Sequence, residues 1–234
     1  MKEKNSTNQN SKQTFLIYKN KNTEKIIMAE PKFIVFEGID GAGKTTQIKL
    51  LCEALHARGI NTKITVEPTD MPSGRAIREA LSGKVKKTPE EMAEMFAYDR
   101  VLHNTDKEKG INGMLESGFA VISDRYYYSS LAYQGAVLGY EIVAALNLDN
   151  PQIRTPDLCI FLDLTPEKSL ERISGRGEAR EIYENAEYLT KTRKMFFDVF
   201  DKLRARGENI VIIDASGSVE EVAEKVLTAV LDIR

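Results

Sequence analysis

Gly38-Ile39-Asp40-Gly41-Ala42-Gly43-Lys44-Thr45-Thr46 sets three glycines beside a lysine and two hydroxyls. Gly38, Gly43, Lys44 and Thr45 match the spacing of a phosphate-binding loop: glycine, any four residues, glycine, lysine, then serine or threonine. Glycines let successive backbone N–H groups converge on phosphate oxygens where a side chain would block approach, and a helix starting at the lysine adds its positive dipole end. Lys44 then reaches the β- and γ-phosphates, and Thr45 offers its hydroxyl to Mg²⁺. The plainer alternative is a tight strand-to-helix turn with an incidental lysine.

The flanking residues favour phosphate. Phe33-Ile34-Val35-Phe36 is β-branched and aromatic without alternation, which suits a strand buried on both faces of a parallel sheet. After Lys44, the apolar positions Ile48, Leu51, Cys52 and Leu55 recur at helical spacing, and Gly59 supplies a stop. Further strands are expected at Thr62–Val66, Phe119–Ser123, Leu158–Leu162 and Asn209–Ile213. Thr88-Pro89-Glu90-Glu91 and Ser218-Val219-Glu220-Glu221 carry the capping-box pattern that opens helices. The expected fold is α/β: a doubly wound, five-stranded parallel sheet with helices on both faces.

Ligands in such sheets bind beyond the carboxyl ends of the strands. Two turns at that edge matter: Ser123-Asp124-Arg125-Tyr126 after the third strand and Glu67-Pro68-Thr69 after the second. Asp124 is placed to hold Mg²⁺ through water, and Arg125 to grip a second phosphate. The bland alternative pairs Asp124 with Arg125 as a cap.

At 234 residues and 42% hydrophobic content, the chain is long enough for one well-filled core and a small mobile element. Cys52 and Cys159 lie in apolar runs and read as core residues, and a reducing, cytoplasmic setting fits that usage. Only His56 and His103 are present, both in helical patterns, so a histidine metal site or triad is not expected. No apolar run is long enough to span a membrane. The first 27 residues carry six lysines against two glutamates and little apolar content. Residues 1–30 therefore read as a disordered extension, and 31–234 as the folded domain. Met28 is an alternative start of translation. A basic arm can bind nucleic acid, but no nucleic-acid partner is expected here. Asn5-Ser6-Thr7 fits a glycosylation sequon that lacks a secretory signal.

In chain order, Gly38 to Thr46, Glu67-Pro68, Phe96 through Arg100, Asp124-Arg125-Tyr126 and the stretch Arg172 to Arg180 resemble thymidylate kinase, over about residues 32–234. The resemblance implies transfer of the γ-phosphate of ATP to dTMP with Mg²⁺, and a homodimer. It places Gly38 through Thr46 and Arg180 on ATP; Lys44, Arg125, Arg176 and Asp124 in catalysis; and Thr45 and Asp124 on the metal. Asp40, Glu67, Phe96, Arg100, Arg125, Ser130, Tyr133 and Gln134 fall to dTMP. Within that set Phe96 stacks on thymine, Arg100 donates to its O4, and Tyr133 crowds the ribose 2′ position. Ser130 stands where the family often has asparagine or threonine. The phosphate loop lacks the arginine that one branch of the family carries, so a basic lid at about 172–182 must supply that charge, with Arg176 the choice because glycines flank it. The plainer reading of the lid is a solvated helix, and that of Phe96 and Arg100 is a core phenylalanine beside a surface arginine.

A nucleoside kinase on the same fold would need a carboxylate base, for which Glu37 or Glu67 could serve. A kinase for another nucleoside monophosphate is a second rival. A GTPase would carry Asn-Lys-x-Asp, which this sequence lacks, and a mechanical ATPase would tend to end its metal-binding strand in Asp-Glu, where Asp124-Arg125 stands.

Overall fold

Alternate residues of the central strand feed two separate cores. In the computed structural model, which describes residues 30–174 and 186–233, all five residues of β1 (Phe33–Glu37) are buried. Phe33 and Val35 join one hydrophobic cluster and Ile34 and Phe36 the other. That is the period-2 consequence of a strand covered on both faces. All of the expected extension but Glu30, and also Arg176 and Arg180, lie outside the described residues.

From β1 the chain runs through α1 (Lys44–His56), β2 (Thr62–Val66), α2 (Pro72–Leu81), α3 (Pro89–Thr105), α4 (Ile111–Glu116), β3 (Ala120–Asp124) and α5 (Tyr127–Tyr133). It continues through α6 (Gly135–Leu138), α7 (Tyr140–Asn147), β4 (Leu158–Asp163), α8 (Pro166–Ser174), α9 (Ala186–Ala205), β5 (Ile210–Asp214) and α10 (Val219–Leu231). The sheet order is β2-β3-β1-β4-β5, and every pairing is parallel. One face is covered by α1 and α10, through Leu51, Leu55, Val222 and Val226. On the other face α4, α5, α7 and α9 contribute Ile111, Leu131, Val143 and Phe200. Cys52 and Cys159 are free and buried, as expected.

Both expected capping boxes form. Glu91 N–H donates to Thr88 Oγ1 at 3.2 Å, and Glu91 Oε2 accepts from Thr88 N–H at 2.8 Å. Ser218 and Glu221 repeat the exchange at the start of α10. The third strand starts one residue later than expected, because Phe119 N–H still donates back to Met114 O at 3.1 Å, at the end of α4. The fifth strand is shifted likewise, Ile210–Asp214 instead of 209–213. These shifts put Asp124 at the tip of β3, in register with Phe36 of β1 and Val66 of β2. Among the described residues, no helix is long and apolar enough to cross a membrane.

Candidate active site

The loop between β1 and α1 has the backbone its glycines were expected to serve. Gly38 and Gly41 take φ of 149° and 78°. A Cβ at Gly38 would lie 2.8 Å from Leu162 O, and one at Gly41 2.9 Å from Ser169 O. Conformation and space thus both require glycine there. Gly43, the N-cap of α1, gives no side-chain cap, so the first N–H groups of the helix are available to an anion. Lys44 Nζ lies along this loop and donates to Gly38 O at 3.1 Å. Burial, followed by repulsion from Arg125, lowers its pKa to about 8. A lysine held in this way gains charge when an anion arrives.

Across the sheet edge, Arg125 sits in the left-handed region with φ 69°, a conformation that costs a non-glycine residue about 1–3 kcal/mol. Its neighbours hold it there. Arg125 N–H donates to Phe36 O at 2.9 Å, and Ser123 Oγ donates to Arg125 O at 2.8 Å. Glu37, at the end of β1, accepts from Tyr126 N–H, Ser129 N–H and Ser129 Oγ at 3.0, 3.1 and 2.8 Å. Burial raises the Glu37 pKa to about 7 against the opposing pull of Arg125 and these donors. So the carboxylate before the phosphate loop folds the turn after β3. The resulting Arg125 guanidinium is hydrogen-bonded to Asp40 of the phosphate loop, donates to Ser129 Oγ at 3.2 Å, and lies 5.9 Å from the centre of the Tyr133 ring. Burial pushes the Asp40 carboxyl upward, but Arg125 and Lys44 outweigh it and leave the pKa below the ordinary value.

Asp124 completes this group. Its Oδ1 is buried without a hydrogen-bond partner, although buried carboxylate oxygens are normally satisfied. Thr45, the second residue of α1, is exposed. One carboxylate and one hydroxyl leave most of a coordination sphere to water and phosphate oxygens, which suits Mg²⁺. The residues present therefore fit the metal.

The family model described as thymidylate kinase matches residues 36–226, spanning this loop, β3 and the Asp124-Arg125 turn. The chain belongs to the thymidylate kinase family. A probable thymidylate kinase from Archaeoglobus fulgidus is 39% identical over 193 residues, which cover 82% of this chain and 91% of that protein. One from Methanococcus aeolicus is 40% identical over 204 residues, covering 86% and 96%. A thymidylate kinase from Desulfotalea psychrophila is 42% identical over 166 residues, covering 70% and 80%. Thymidylate kinases are nucleoside monophosphate kinases, so a second nucleotide site is required beside the phosphate loop.

Of the residues expected to take the acceptor nucleotide, Glu67, Arg100 and Ser130 form one bonded group and Asp40, Arg125 and Tyr133 another. Phe96, Tyr133 and Gln134 are half-buried. Arg100 is not a surface arginine: it is 1% exposed. Its Nε donates to Glu67 Oε2 at 2.8 Å, Nη2 is ion-paired with the same oxygen at 2.6 Å and donates to Ser130 Oγ at 3.2 Å, and Nη1 donates to Asn147 Oδ1. Glu67 is 4% exposed, and its other oxygen meets His103 Nδ1 at 2.8 Å. Instead of lying free for a ligand, the Glu67 carboxylate is bonded to protein through both oxygens.

Several supporting residues had no role assigned from sequence. Asp99 accepts from Thr69 N–H, Thr69 Oγ1 and Ser73 Oγ at 2.8, 2.6 and 2.6 Å, tying the turn after β2 to α3. Arg172, half-buried, is bonded to the protein instead of standing free as a lid charge. It donates to Ala215 O at 2.8 Å and approaches Ala42 O at 3.5 Å. Ser169, one turn earlier on α8, donates to Asp40 O. Helix α8 therefore buttresses the back of the phosphate loop. Only the alternation of Ser169 and Arg172 with apolar Leu170 and Ile173 along α8 hints at this in sequence.

Proposed function

We propose that this site transfers the γ-phosphate of ATP to dTMP, giving ADP and dTDP, with Mg²⁺ as the metal. The observation that carries the reading is the contact between Arg125 and Asp40. It sets a phosphate-gripping arginine against the very loop that cradles ATP, so donor and acceptor phosphates would meet between them. An oxygen of the dTMP phosphate attacks the γ-phosphorus as the bond to the β,γ-bridging oxygen breaks. That acceptor has a second pKa near 6 and is mostly dianionic at neutral pH. It needs no general base, which leaves positioning and charge neutralisation as the enzyme's task.

In this reading Lys44 and the loop N–H groups hold the β- and γ-phosphates, and Arg125 holds the acceptor phosphate. Thr45 and Asp124 would hold Mg²⁺, which when bound neutralises charge on the β- and γ-phosphate oxygens. Phe96 stacks on thymine, Ser130, Gln134 and Arg100 read its edge, Tyr133 crowds the ribose 2′ position, and Asp40 faces the 3′-hydroxyl side. With Arg172 engaged at Ala42 and Ala215, Arg176 is the proposed lid arginine and Arg180 the proposed ATP contact. A homodimer and a cytoplasmic location follow from the family likeness; sedimentation at twice the chain mass would support the first.

The test is a coupled assay of ADP release with Mg-ATP across the deoxy- and ribonucleoside monophosphates and thymidine. dTMP should be the preferred acceptor. Turnover of thymidine without dTMP would replace this reading with a nucleoside kinase.

A further inference from the structure

We propose that Glu67, His103 and Thr65 form a positioning relay that fixes Arg100 against the pyrimidine, so that base selectivity depends on residues that never touch the base. The proposal rests on the reading of Arg100 as a base-facing group.

The relay starts on the half-buried edge strand. Thr65 Oγ1 lies 2.5 Å from His103 Nε2, and His103 Nδ1 lies 2.8 Å from Glu67 Oε1. With Nδ1 donating to the carboxylate, Nε2 accepts from the threonine hydroxyl, and each member is satisfied. Glu67 Oε2 then accepts from Nε of Arg100 at 2.8 Å and is ion-paired with Nη2 at 2.6 Å, a charge-assisted contact that holds that side of the guanidinium. Asn147 and Ser130 hold the remaining sides, and the Tyr126 ring lies 5.2 Å from Arg100 Cζ. Asn147 is itself anchored, through Nδ2 to Val143 O at 2.8 Å.

Counting donors shows what this leaves. A guanidinium has five N–H groups. One on Nε, one on Nη1 and one on Nη2 are used by Glu67, Asn147 and Ser130. Among the described residues, one N–H on Nη1 and one on Nη2 remain. A guanidinium held in one plane can only donate, so it matches a carbonyl, as thymine or uracil presents at position 4, and mismatches the amino group of cytosine. A loosened arginine could turn another N–H or withdraw, so discrimination depends on the rigidity supplied by Glu67. Carboxylate–histidine pairing is a general means of fixing a functional side chain, used here to hold a cation.

The experiment measures kcat and KM for dTMP, dCMP and ATP in four variants, with melting temperature recorded for each. In Glu67→Gln the KM for dTMP should rise, and the dTMP-over-dCMP ratio of kcat/KM should fall, each about tenfold, the loss typical of a hydrogen bond to a charged group. KM for ATP should stay within twofold. Thr65→Val removes only the outermost hydroxyl and should give the same pattern at about threefold, while Thr65→Ser should restore the parent values. Arg100→Lys keeps a cation for Glu67 but loses the planar fork, and it checks the underlying reading. If Arg100→Lys lowers selectivity and a folded Glu67→Gln does not, the relay is overturned while the base-reading role stands. If Arg100→Lys leaves selectivity intact, the base-reading role itself fails. Should Glu67→Gln fail to fold, Thr65→Val decides: parent-like selectivity, or equal losses toward dTMP and ATP, overturns the proposal.

Discussion

The proposed phosphate side and the proposed base side of the site are built by opposite means. Around Gly38 to Thr46 the groups proposed to hold phosphate are mainly backbone N–H donors of one contiguous loop, shaped by positive φ at Gly38, Gly41 and Gly43. Around Arg100 they are side chains from β2, α3, α5, α7 and the turn after β2, nearly all buried and bonded to one another. In stability, the first design tolerates loss of side chains but not addition of a Cβ. The second tolerates neither loss nor change of a partner, because removing one member of a buried pair strands the other.

Breaking the base side should therefore show first in stability. Arg100→Ala leaves the Glu67 carboxylate buried beside His103 without its cation, and a loss of about 3–5 kcal/mol is expected. Thermal melting should detect a fall of roughly 10 °C for a domain of this size. In whatever fraction folds, KM for dTMP should rise and the gap to dCMP should narrow. A melting temperature within about 2 °C of the parent would mean that the network is not held as a unit.

Breaking the phosphate side should show in rate instead. Lys44→Ala removes a preorganised charge aimed at the transferring group, worth about 3 kcal/mol or more and read as a fall in kcat of over a hundredfold. Because burial already opposes the Lys44 charge, its removal should leave the melting temperature nearly unchanged. Retention of more than a tenth of the parent kcat would contradict the assigned role.

A smaller effect is expected when a methyl group is added to the loop. In Gly41→Ala the left-handed φ alone costs about 1–2 kcal/mol, and the new Cβ meets Ser169 O at 2.9 Å. KM for ATP should rise about tenfold with KM for dTMP little changed. Parallel increases for both nucleotides would show that the two sides are less separate than their construction suggests.

The smallest effect is a proton. The pKa of Lys44 is lowered to about 8 in the free protein, below that of an exposed lysine, so between about 8 and 10.4 the native state binds fewer protons than the unfolded state. On this residue's account stability rises with pH across that window. Polyphosphate reverses the bias, so ATP binding near pH 8.5 should take up a fraction of a proton, and affinity should weaken as pH rises further. Calorimetry in two buffers of different ionisation enthalpy measures the uptake. Lys44→Ala should abolish it, and equal uptake in that variant would place the titration elsewhere.

The same contrast governs what could be read from sequence. The phosphate loop was legible because its parts are adjacent and each residue type has a local reason. The sheet was legible because β1 and β4 are apolar up to their last residues, Glu37 and Asp163, as strands covered on both faces must be. Arg100 was legible as a residue of interest, but not its burial, since its partners Glu67, Ser130 and Asn147 stand 33, 30 and 47 residues away. Glu37 carried no local sign that it would fold a turn 89 residues downstream. Arg172 looked like lid charge because nothing nearby foretold Ala215 O, 43 residues on. Long-range satisfaction of polar groups is a property of the whole fold.

The sheet order also imposes a timetable on synthesis. β1 has no hydrogen-bonding neighbour close in sequence: its partners are β3 and β4, with Phe36 aligned to Asp124 and Ile160. At about 5–20 residues per second, the segment between Phe36 and Ile160 takes roughly 6 to 25 s to translate. The loop made first is thus finished nearly last, since Ser169 and Arg172 must still follow to brace it. Such late closure between distant segments raises contact order and slows folding. It also denies a growing chain any nucleotide grip until most of the domain exists.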